Sequence, residues 1–203
     1  HTILRRQRQM CIRDRMAESA PDVRFDGLDW DQQRVILATV HRRENWGERL
    51  HDIAAGMLQV LERYPDTALL LPMHRNPTVR EPLQALLGSH PRVVLTEPLD
   101  YDRLVAAMKG CSLLLTDSGG LQEEAPALGK PVLVLRRTTE RPEAVDAGTA
   151  RLVGTNPDVI LEETSRLLGD ATAYQEMSRA VNPFGDGHAS ERILERCRRK
   201  LGV

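Results

Sequence analysis

Short apolar runs alternate with helix-forming segments from residue 34 onward, and this alternation restricts the folds open to the chain. The runs are too short for helices and show no polar alternation, which favours strands buried on both faces. The predicted strands are Val35–Val40, Ala68–Leu71, Val93–Leu95, Ser112–Thr116, Val132–Leu135 and Ala150–Val153. Because such strands alternate with helices, we predict an α/β fold with a Rossmann-like, doubly wound parallel sheet of about six strands.

The segments between the strands carry the patterns of amphipathic helices. Apolar residues between Leu50 and Leu61 recur at helical spacing, and Pro65 lies just beyond the predicted end of that helix. Pro157 suits the first turn of a later helix that ends at Leu168, with Asn156 as its cap. The other predicted helices are 78–87, 101–109, 121–128, 170–180 and 189–201.

The composition fits one soluble α/β domain with a proper core. Of the 203 residues, 41% are hydrophobic and 28% are charged. The net charge of -1 implies neither a nucleic acid nor a membrane surface as a partner. Aromatic residues make up only 3%, which argues against a stacking platform for single-stranded nucleic acid.

Several motifs and patterns are absent from the sequence. No G-x-G-x-x-G follows a predicted strand and no G-x-x-x-x-G-K-[ST] occurs, which disfavours a nicotinamide or flavin site and a P-loop. The three cysteines are odd in number and far apart, which favours a reducing compartment. With no apolar run of membrane-spanning length and no signal peptide, we expect a cytoplasmic protein without a metal or a cofactor.

The first 20 residues differ from the rest of the chain. Five arginines occur among the first fifteen residues without a clear period. A basic arm for nucleic acid is one interpretation, and an unrelated or disordered extension is the one we adopt for residues 1–20. The domain is then expected to span residues 21–203.

Polar clusters follow four of the predicted strands directly: 41–45, 74–76, 117–120 and 136–141. In a parallel sheet the carboxyl ends of the strands lie at one edge, and ligands bind in the crevice beyond it. We therefore expect the four clusters to gather on one rim and to form a site.

Residues 112–128 indicate what the site binds. Gly119 and Gly120, at a strand-to-helix turn, would let a ligand approach the main chain and the N–H groups of the first helical turn. Ser118 would cap the helix or donate to a phosphate, and Glu123 or Glu124 would accept from the hydroxyls of a ribose. This pattern favours a nucleoside diphosphate, and an ordinary turn with a capped helix is the alternative.

The other clusters contain further candidates. His41 suits a diphosphate contact or proton transfer, or is a plain turn histidine. Arg42 is a candidate ligand contact or part of a solvated charge cluster. His74 would serve a second ligand or a structural bond. Arg141 suits phosphate recognition, with an ion pair to Glu140 or Glu143 as the alternative.

Seven segments together resemble the non-hydrolysing UDP-N-acetylglucosamine 2-epimerases of cell-envelope polysaccharide biosynthesis. The resemblance extends from about Val35 to the C-terminus, and the segments are residues 39–45, 74–77, 116–126, 128–135, 138–144, 147–149 and 182–187. It implies a GT-B-type architecture, with the active site between two Rossmann-like domains. This chain would be the C-terminal, UDP-binding domain, without the N-terminal domain.

The resemblance also implies roles for individual residues. Ser118, Gly119 and Gly120 would hold the diphosphate, Glu124 the ribose, and Arg141 the nucleotide end. The remaining candidates are His41 as a catalytic residue beside the leaving bond, and Arg42 and His74 in an allosteric site for a second substrate molecule.

The family's reaction interconverts UDP-GlcNAc and UDP-ManNAc through loss of UDP, 2-acetamidoglucal and re-addition of UDP. The acidic residues that move the C2 proton belong to the N-terminal domain, so we expect this chain to be inactive alone. The full-length enzyme is expected to be a homodimer. Two alternatives remain: a nucleotide-sugar-binding domain of a GT-B glycosyltransferase, and a non-catalytic nucleotide-sugar-binding fragment.

Three residues depart from the family pattern. Arg137 stands where aspartate is usual, and we expect this charge reversal to disturb local ion pairing. Arg75 replaces an apolar or small residue and would alter effector binding, and His188 stands where lysine is usual. The cleft face and the seat of the terminal helix, which in the family reaches back toward the first domain, are expected to be uncovered here.

Overall fold

The computed structural model describes residues 25–185 and 188–202. Within these ranges six strands form one sheet in the order β3-β2-β1-β4-β5-β6, and all neighbouring strands are parallel. The strands are β1 (Arg34–Thr39), β2 (Thr67–Pro72), β3 (Val93–Thr96), β4 (Leu113–Thr116), β5 (Val132–Val134) and β6 (Ala150–Leu152). The predicted Rossmann-like, doubly wound sheet is confirmed.

Eight α-helices occur in the described residues, together with two short 3-10 segments, Arg43–Asn45 and Ala125–Leu128. The helices are α1 (Glu48–Arg63), α2 (Pro77–Leu87), α3 (Tyr101–Gly110), α4 (Gly119–Glu124), α5 (Pro142–Asp146), α6 (Pro157–Gly169), α7 (Ala171–Ser178) and α8 (Ala189–Leu201). Helix α5 and the first 3-10 segment were not predicted because they are too short to show a helical period.

The helix after β4 differs from its prediction at both ends. It was expected over 121–128, but it begins at Gly119 and ends at Glu124, and Ala125–Leu128 continues it as a 3-10 turn. Gly119 and Gly120 are the first two residues of the helix, and neither has a positive φ. Pro126 lacks an N–H and cannot continue regular α-helical bonding, which accounts for the early end.

The sheet is covered on both faces by helices. In β1, Ile36 and Ala38 belong to the core cluster that contains the buried residues of α1, α2 and α6, whereas Val35 and Leu37 belong to the cluster with α3. Successive side chains of a strand point to opposite faces, so one strand supplies both cores. This explains why successive residues of a strand are apolar, without polar alternation.

The central pair of strands, β1 and β4, fixes the position of the site. Their register places Thr39 opposite Thr116, and the two hydroxyls share a hydrogen bond of 2.6 Å. The strand order reverses here, because β2 and β3 lie on one side of β1 while β4 to β6 lie on the other. A crevice therefore opens beyond the carboxyl ends of β1 and β4.

Some predictions fall outside the described residues. The predicted N-terminal extension, residues 1–20, lies entirely there, as do Asp186 and Gly187 of the 182–187 motif. At the other end, α8 leaves Ile193, Leu194 and Leu201 exposed. Among the described helices, none combines the length and the apolar character needed to cross a membrane.

Candidate functional site

A cleft of about 360 Å³ opens at the carboxyl edge of the sheet. Its walls come from the ends and following loops of β1, β2 and β4 and from the start of α3. They consist of Thr39, Val40, His41, Pro72, Met73, His74, Pro98, Leu99, Tyr101, Leu104, Ser118, Gly120, Leu121 and Glu124. Three of the four polar clusters thus meet at the cleft, and the fourth, 136–141, packs beside it through ion pairs.

Gly119 and Gly120 leave open the space that a Cβ would occupy in ordinary van der Waals contact with its neighbours. A Cβ on Gly119 would lie 3.4 Å from Nη2 of Arg42 and 3.8 Å from Nη2 of Arg141. A Cβ on Gly120 would lie 3.7 Å from Oε1 of Glu124 and 3.8 Å from Oγ of Ser118. Two guanidinium groups and a carboxylate therefore approach the turn from different sides.

The side chain of Ser118 does not cap the helix, although the residue occupies the N-cap position. Its backbone N–H donates to Oγ1 of Thr116 at 2.9 Å, and its carbonyl accepts from Gln122 at 3.1 Å. Since the hydroxyl takes no part in capping, it is available for the second predicted use, a contact to phosphate. Helix α4 has only six residues, and the guanidinium groups of Arg42 and Arg141 lie beside its first turn.

The two glutamates of α4 have different surroundings. Glu124 lines the cleft, and the hydroxyl of Tyr101 donates to its Oε2 at 3.2 Å. Glu123 is buried and forms an ion pair with Arg141. Only Glu124 is therefore placed to meet a ribose in the cleft.

Arg141 is held by several contacts. Besides its ion pair with Glu123, its Nη1 donates to the carbonyl of Glu140 at 2.9 Å, and its backbone N–H donates to Oγ1 of Thr139 at 3.0 Å. The ion pair is thus with Glu123, and the alternatives weighed from the sequence, the carboxylates of Glu140 or Glu143, are not its partners. Arg42 donates from Nε to the carbonyl of Asp117 at 3.2 Å and from Nη1 to Glu140 at 3.4 Å.

His41 and His74 lie side by side. Their ring centroids are 6.1 Å apart with an interplanar angle of 18°. Nδ1 of His41 is 3.0 Å from Oδ1 of Asp117, and the side chain keeps 37% of its surface exposed. His74 is exposed, and its Nδ1 accepts from the backbone N–H of Asn76 at 3.1 Å. The structure thus brings His74 to His41, whereas Arg42 turns toward Asp117.

Sequence reasoning missed the role of Asp117, which is fully buried. Its carboxylate accepts hydrogen bonds from the backbone N–H groups of His41 and Arg42 and from Nδ2 of Asn45. Burial raises the pKa of Asp117, but the hydrogen bonds from His41 and Arg42 outweigh it and hold the pKa below its ordinary value. A charged residue directly after a wholly buried strand was the signal that could have revealed it.

Arg136, with 5% of its side chain exposed, was also missed. It lies 2.5 Å from a carboxylate oxygen of Glu44 and 2.5 Å from one of Glu140, and so ties the loop after β5 to the segment after β1. The hydrogen bond from Arg136 is the main reason that the pKa of Glu140 is lowered to about 2. The expected disturbance by Arg137 is not seen, because that side chain is exposed and the ion pairs form through Arg136.

The rest of the described structure adds two observations. Within residues 25–185 and 188–202, no group of three or more His, Cys, Asp or Glu residues is placed to hold a metal ion. A second cavity of about 470 Å³ lies among α5, β6, α6 and α7 and shares no lining residue with the cleft.

The strand order, the crevice at its reversal point and the glycine turn between two arginines define a Rossmann-like α/β domain of the GT-B type. Residues 9–198 match the profile of the family described as UDP-N-acetylglucosamine 2-epimerase. The chain belongs to this family.

Individual relatives agree with the family match. The UDP-N-acetylglucosamine 2-epimerase of Escherichia coli K12 is 52% identical over 163 residues, which cover 80% of this chain and 43% of the relative. The Yersinia pestis enzyme of the same name is 46% identical over 190 residues, covering 91% and 50%. The chain thus spans about half the length of the curated relatives it matches.

A solved structure extends the likeness to three dimensions. The UDP-GlcNAc 2-epimerase from Neisseria meningitidis, solved bound to UDP-GlcNAc, superimposes with a TM-score of 0.78 at 43% identity. The match covers 97% of this chain and 52% of that one.

Proposed function

We propose that this chain binds UDP in the 360 Å³ cleft and supplies the nucleotide-binding half of a UDP-N-acetylglucosamine 2-epimerase. The observation that carries the proposal is the position of Gly119, which lies between the cleft residues Ser118 and Gly120 and has Nη2 of Arg42 and Nη2 of Arg141 beside its Cα. A diphosphate fits a turn with open main chain and flanking guanidiniums, because these groups pair with phosphate oxygens through charge-assisted hydrogen bonds. The similarity to a protein solved with UDP-GlcNAc supports this assignment.

Within this proposal, Ser118, Gly119 and Gly120 hold the diphosphate, and Arg141 neutralises part of its charge. Glu124 accepts hydrogen bonds from the ribose hydroxyls, and its carboxylate also accepts from the hydroxyl of Tyr101. The apolar side chains beside Tyr101 in the cleft, Leu99 and Leu104, leave a surface on which a nucleobase can pack.

The proposed reaction inverts C2 of the sugar. A base removes the C2 proton as the C1–O bond breaks, its electron pair leaves with UDP, and 2-acetamidoglucal remains. UDP then adds back while C2 is protonated on the opposite face. Negative charge grows on the leaving diphosphate, so Arg141 and His41 are placed to stabilise it electrostatically.

The residues that move the C2 proton are assigned, by resemblance, to an N-terminal Rossmann-like domain outside residues 21–203. We therefore propose that this chain alone binds UDP without epimerising the sugar. Arg42 and His74 are proposed to contact a second, regulatory substrate molecule, and the full-length enzyme is proposed to be a cytoplasmic homodimer. These last assignments rest on the family resemblance.

Calorimetric titration of UDP into the chain tests the proposal. Ser118→Trp, which fills the turn, and Glu124→Ala, which removes the ribose acceptor, should each weaken binding roughly tenfold or more. Ser89→Trp and Glu62→Ala are matched controls at exposed positions outside the cleft, and they should bind like the wild type. A folded wild-type chain that binds no UDP would contradict the nucleotide assignment, and UDP-ManNAc formed by the chain alone would contradict the half-enzyme assignment.

A further inference from the structure

We propose that Asp117 is a positioning residue for His41: it holds the imidazole with the proton on Nδ1 and presents Nε2 to the cleft. The tautomer follows from contacts within this chain. Its use in turnover rests on the proposed function, because Nε2 would then face the diphosphate of UDP.

The contacts of Asp117 require its carboxylate to act as a hydrogen-bond acceptor. The backbone N–H of His41 donates at 3.0 Å and that of Arg42 at 2.8 Å, and neither group can accept. Nδ2 of Asn45 donates at 3.0 Å. The orientation of this amide is fixed independently, because Nδ2 also donates at 3.0 Å to the carbonyl of Leu135, which can only accept.

Each of these donors reaches Oδ2, and the backbone N–H of His41 also donates to Oδ1 at 3.1 Å. The buried carboxylate therefore accepts on both oxygens and is ionised. Nδ1 of His41 lies 3.0 Å from Oδ1. A lone pair on Nδ1 would face a full negative charge without a proton between them, which the low dielectric of this site makes costly. Nδ1 must therefore carry the hydrogen, and neutral His41 keeps its lone pair on Nε2.

Backbone hydrogen bonds of the sheet fix the positions of Asp117 and His41 relative to each other. The N–H of Asp117 donates to the carbonyl of Thr39 at 3.2 Å, directly after the last paired residues of β1 and β4. The sheet therefore sets the distance between Asp117 and His41, and neither residue depends on a long loop for its position. The His41 ring lines the cleft on one side and stacks with His74.

A fixed ring orientation matters for a group that contacts a leaving diphosphate. When His41 is protonated, Nε2–H can donate to a phosphate oxygen while Asp117 balances the charge of the ring. With the other tautomer, neutral His41 would present its lone pair to Asp117 and the imidazole would lose this orientation. The carboxylate acts only through His41 and does not touch the substrate.

Long-range ¹H–¹⁵N NMR of the imidazole nitrogens tests the inference on the ¹⁵N-labelled chain without ligand. The His41→Gln spectrum assigns the signal, and the pH is raised until the ring is neutral. We expect the proton on Nδ1 in the wild type. A proton on Nε2 would overturn the inference from this spectrum alone, whether or not any variant folds.

The Asp117→Asn variant provides a second test of the tautomer. Its carbonyl oxygen must still serve the backbone donors, so its amide N–H₂ faces Nδ1, and the proton should move to Nε2. Asp66→Asn, which breaks an ion pair with Arg34 before β2, is the matched control and should leave the tautomer unchanged. An Asp117→Asn chain that folds and keeps the proton on Nδ1 would also overturn the inference.

UDP titration of the same wild-type sample separates the two proposals. A proton on Nδ1 together with no UDP binding would support the positioning role of Asp117 and overturn the nucleotide assignment. UDP binding with the proton on Nε2 would overturn the positioning role and leave the nucleotide assignment standing.

Discussion

Asp117 and Arg136 are buried charged residues at the carboxyl edge of the sheet. Hydrogen-bond donors compensate the charge of Asp117, and carboxylates compensate that of Arg136. Burying a charge without partners is costly, so their presence implies a constraint on this edge. Asp117 orders the segment that carries His41, and Arg136 orders the segment that carries Glu44. The charged residues thus shape the loops around the cleft while other side chains line it.

Gly119 and Gly120 allow a matched test at the residue scale. Both are helical, so alanine at either position should preserve or raise stability by up to about 1 kcal/mol. A methyl group on Gly119 would occupy the space between Arg42 and Arg141, whereas one on Gly120 would lie beside Glu124 and Ser118. Both would make only ordinary contacts within the protein. We expect Gly119→Ala to weaken UDP binding roughly tenfold and Gly120→Ala to weaken it less.

Thermal unfolding and calorimetry on the two variants provide the comparison. If Gly119→Ala unfolds at the wild-type temperature or above and binds UDP as tightly as the wild type, the diphosphate does not occupy this space.

At the scale of elements, the Arg136 ion pairs connect the 3-10 segment after β1 with the loop after β5. The pKa of Glu140 is lowered to about 2, first through its hydrogen bond with Arg136. A carboxyl whose folded pKa is depressed contributes stability above its unfolded pKa, and the contribution is lost as the pH falls toward the folded value. Stability from this pair should therefore decline between about pH 4.5 and about pH 2.

Glu140→Gln should reduce this acid sensitivity. We expect the free energy of unfolding, measured by urea at about pH 6 and about pH 3, to fall less in the variant than in the wild type. Glu143→Gln, at an exposed position nearby, is the control and should keep the wild-type slope. Identical slopes for all three proteins would show that the Arg136 pair does not contribute to folding.

The sequence predicted the long elements of the fold well, because buried strands and amphipathic helices have clear periods. It failed where a local exception intervened: Pro126 converts the end of one helix to a 3-10 turn, and α5 is too short to show a period. For the site, the sequence indicated which loops converge. It did not reveal that Glu123 pairs with Arg141, because such a contact depends on how two loops pack.

At the scale of the whole molecule, α8 differs from the other helices. Its described side chains are exposed, among them those of Ile193 and Leu194, whereas Ile160 of α6 is fully buried and packs against Gly56 of α1. We expect Ile160→Ala to lower the free energy of unfolding by about 2–5 kcal/mol and Ile193→Ala to change it by less than about 0.5 kcal/mol. Urea unfolding measures both, and a comparable loss from Ile193→Ala would mean that α8 packs on the domain.

The central claim is that UDP binds at the carboxyl edge of the sheet, between the ends of β1 and β4. Backbone amide chemical-shift mapping during addition of UDP tests it most directly. We predict that the largest changes occur at His41, Ser118, Gly119, Gly120 and Arg141. Changes concentrated instead around the 470 Å³ cavity among α5, β6, α6 and α7 would contradict the claim.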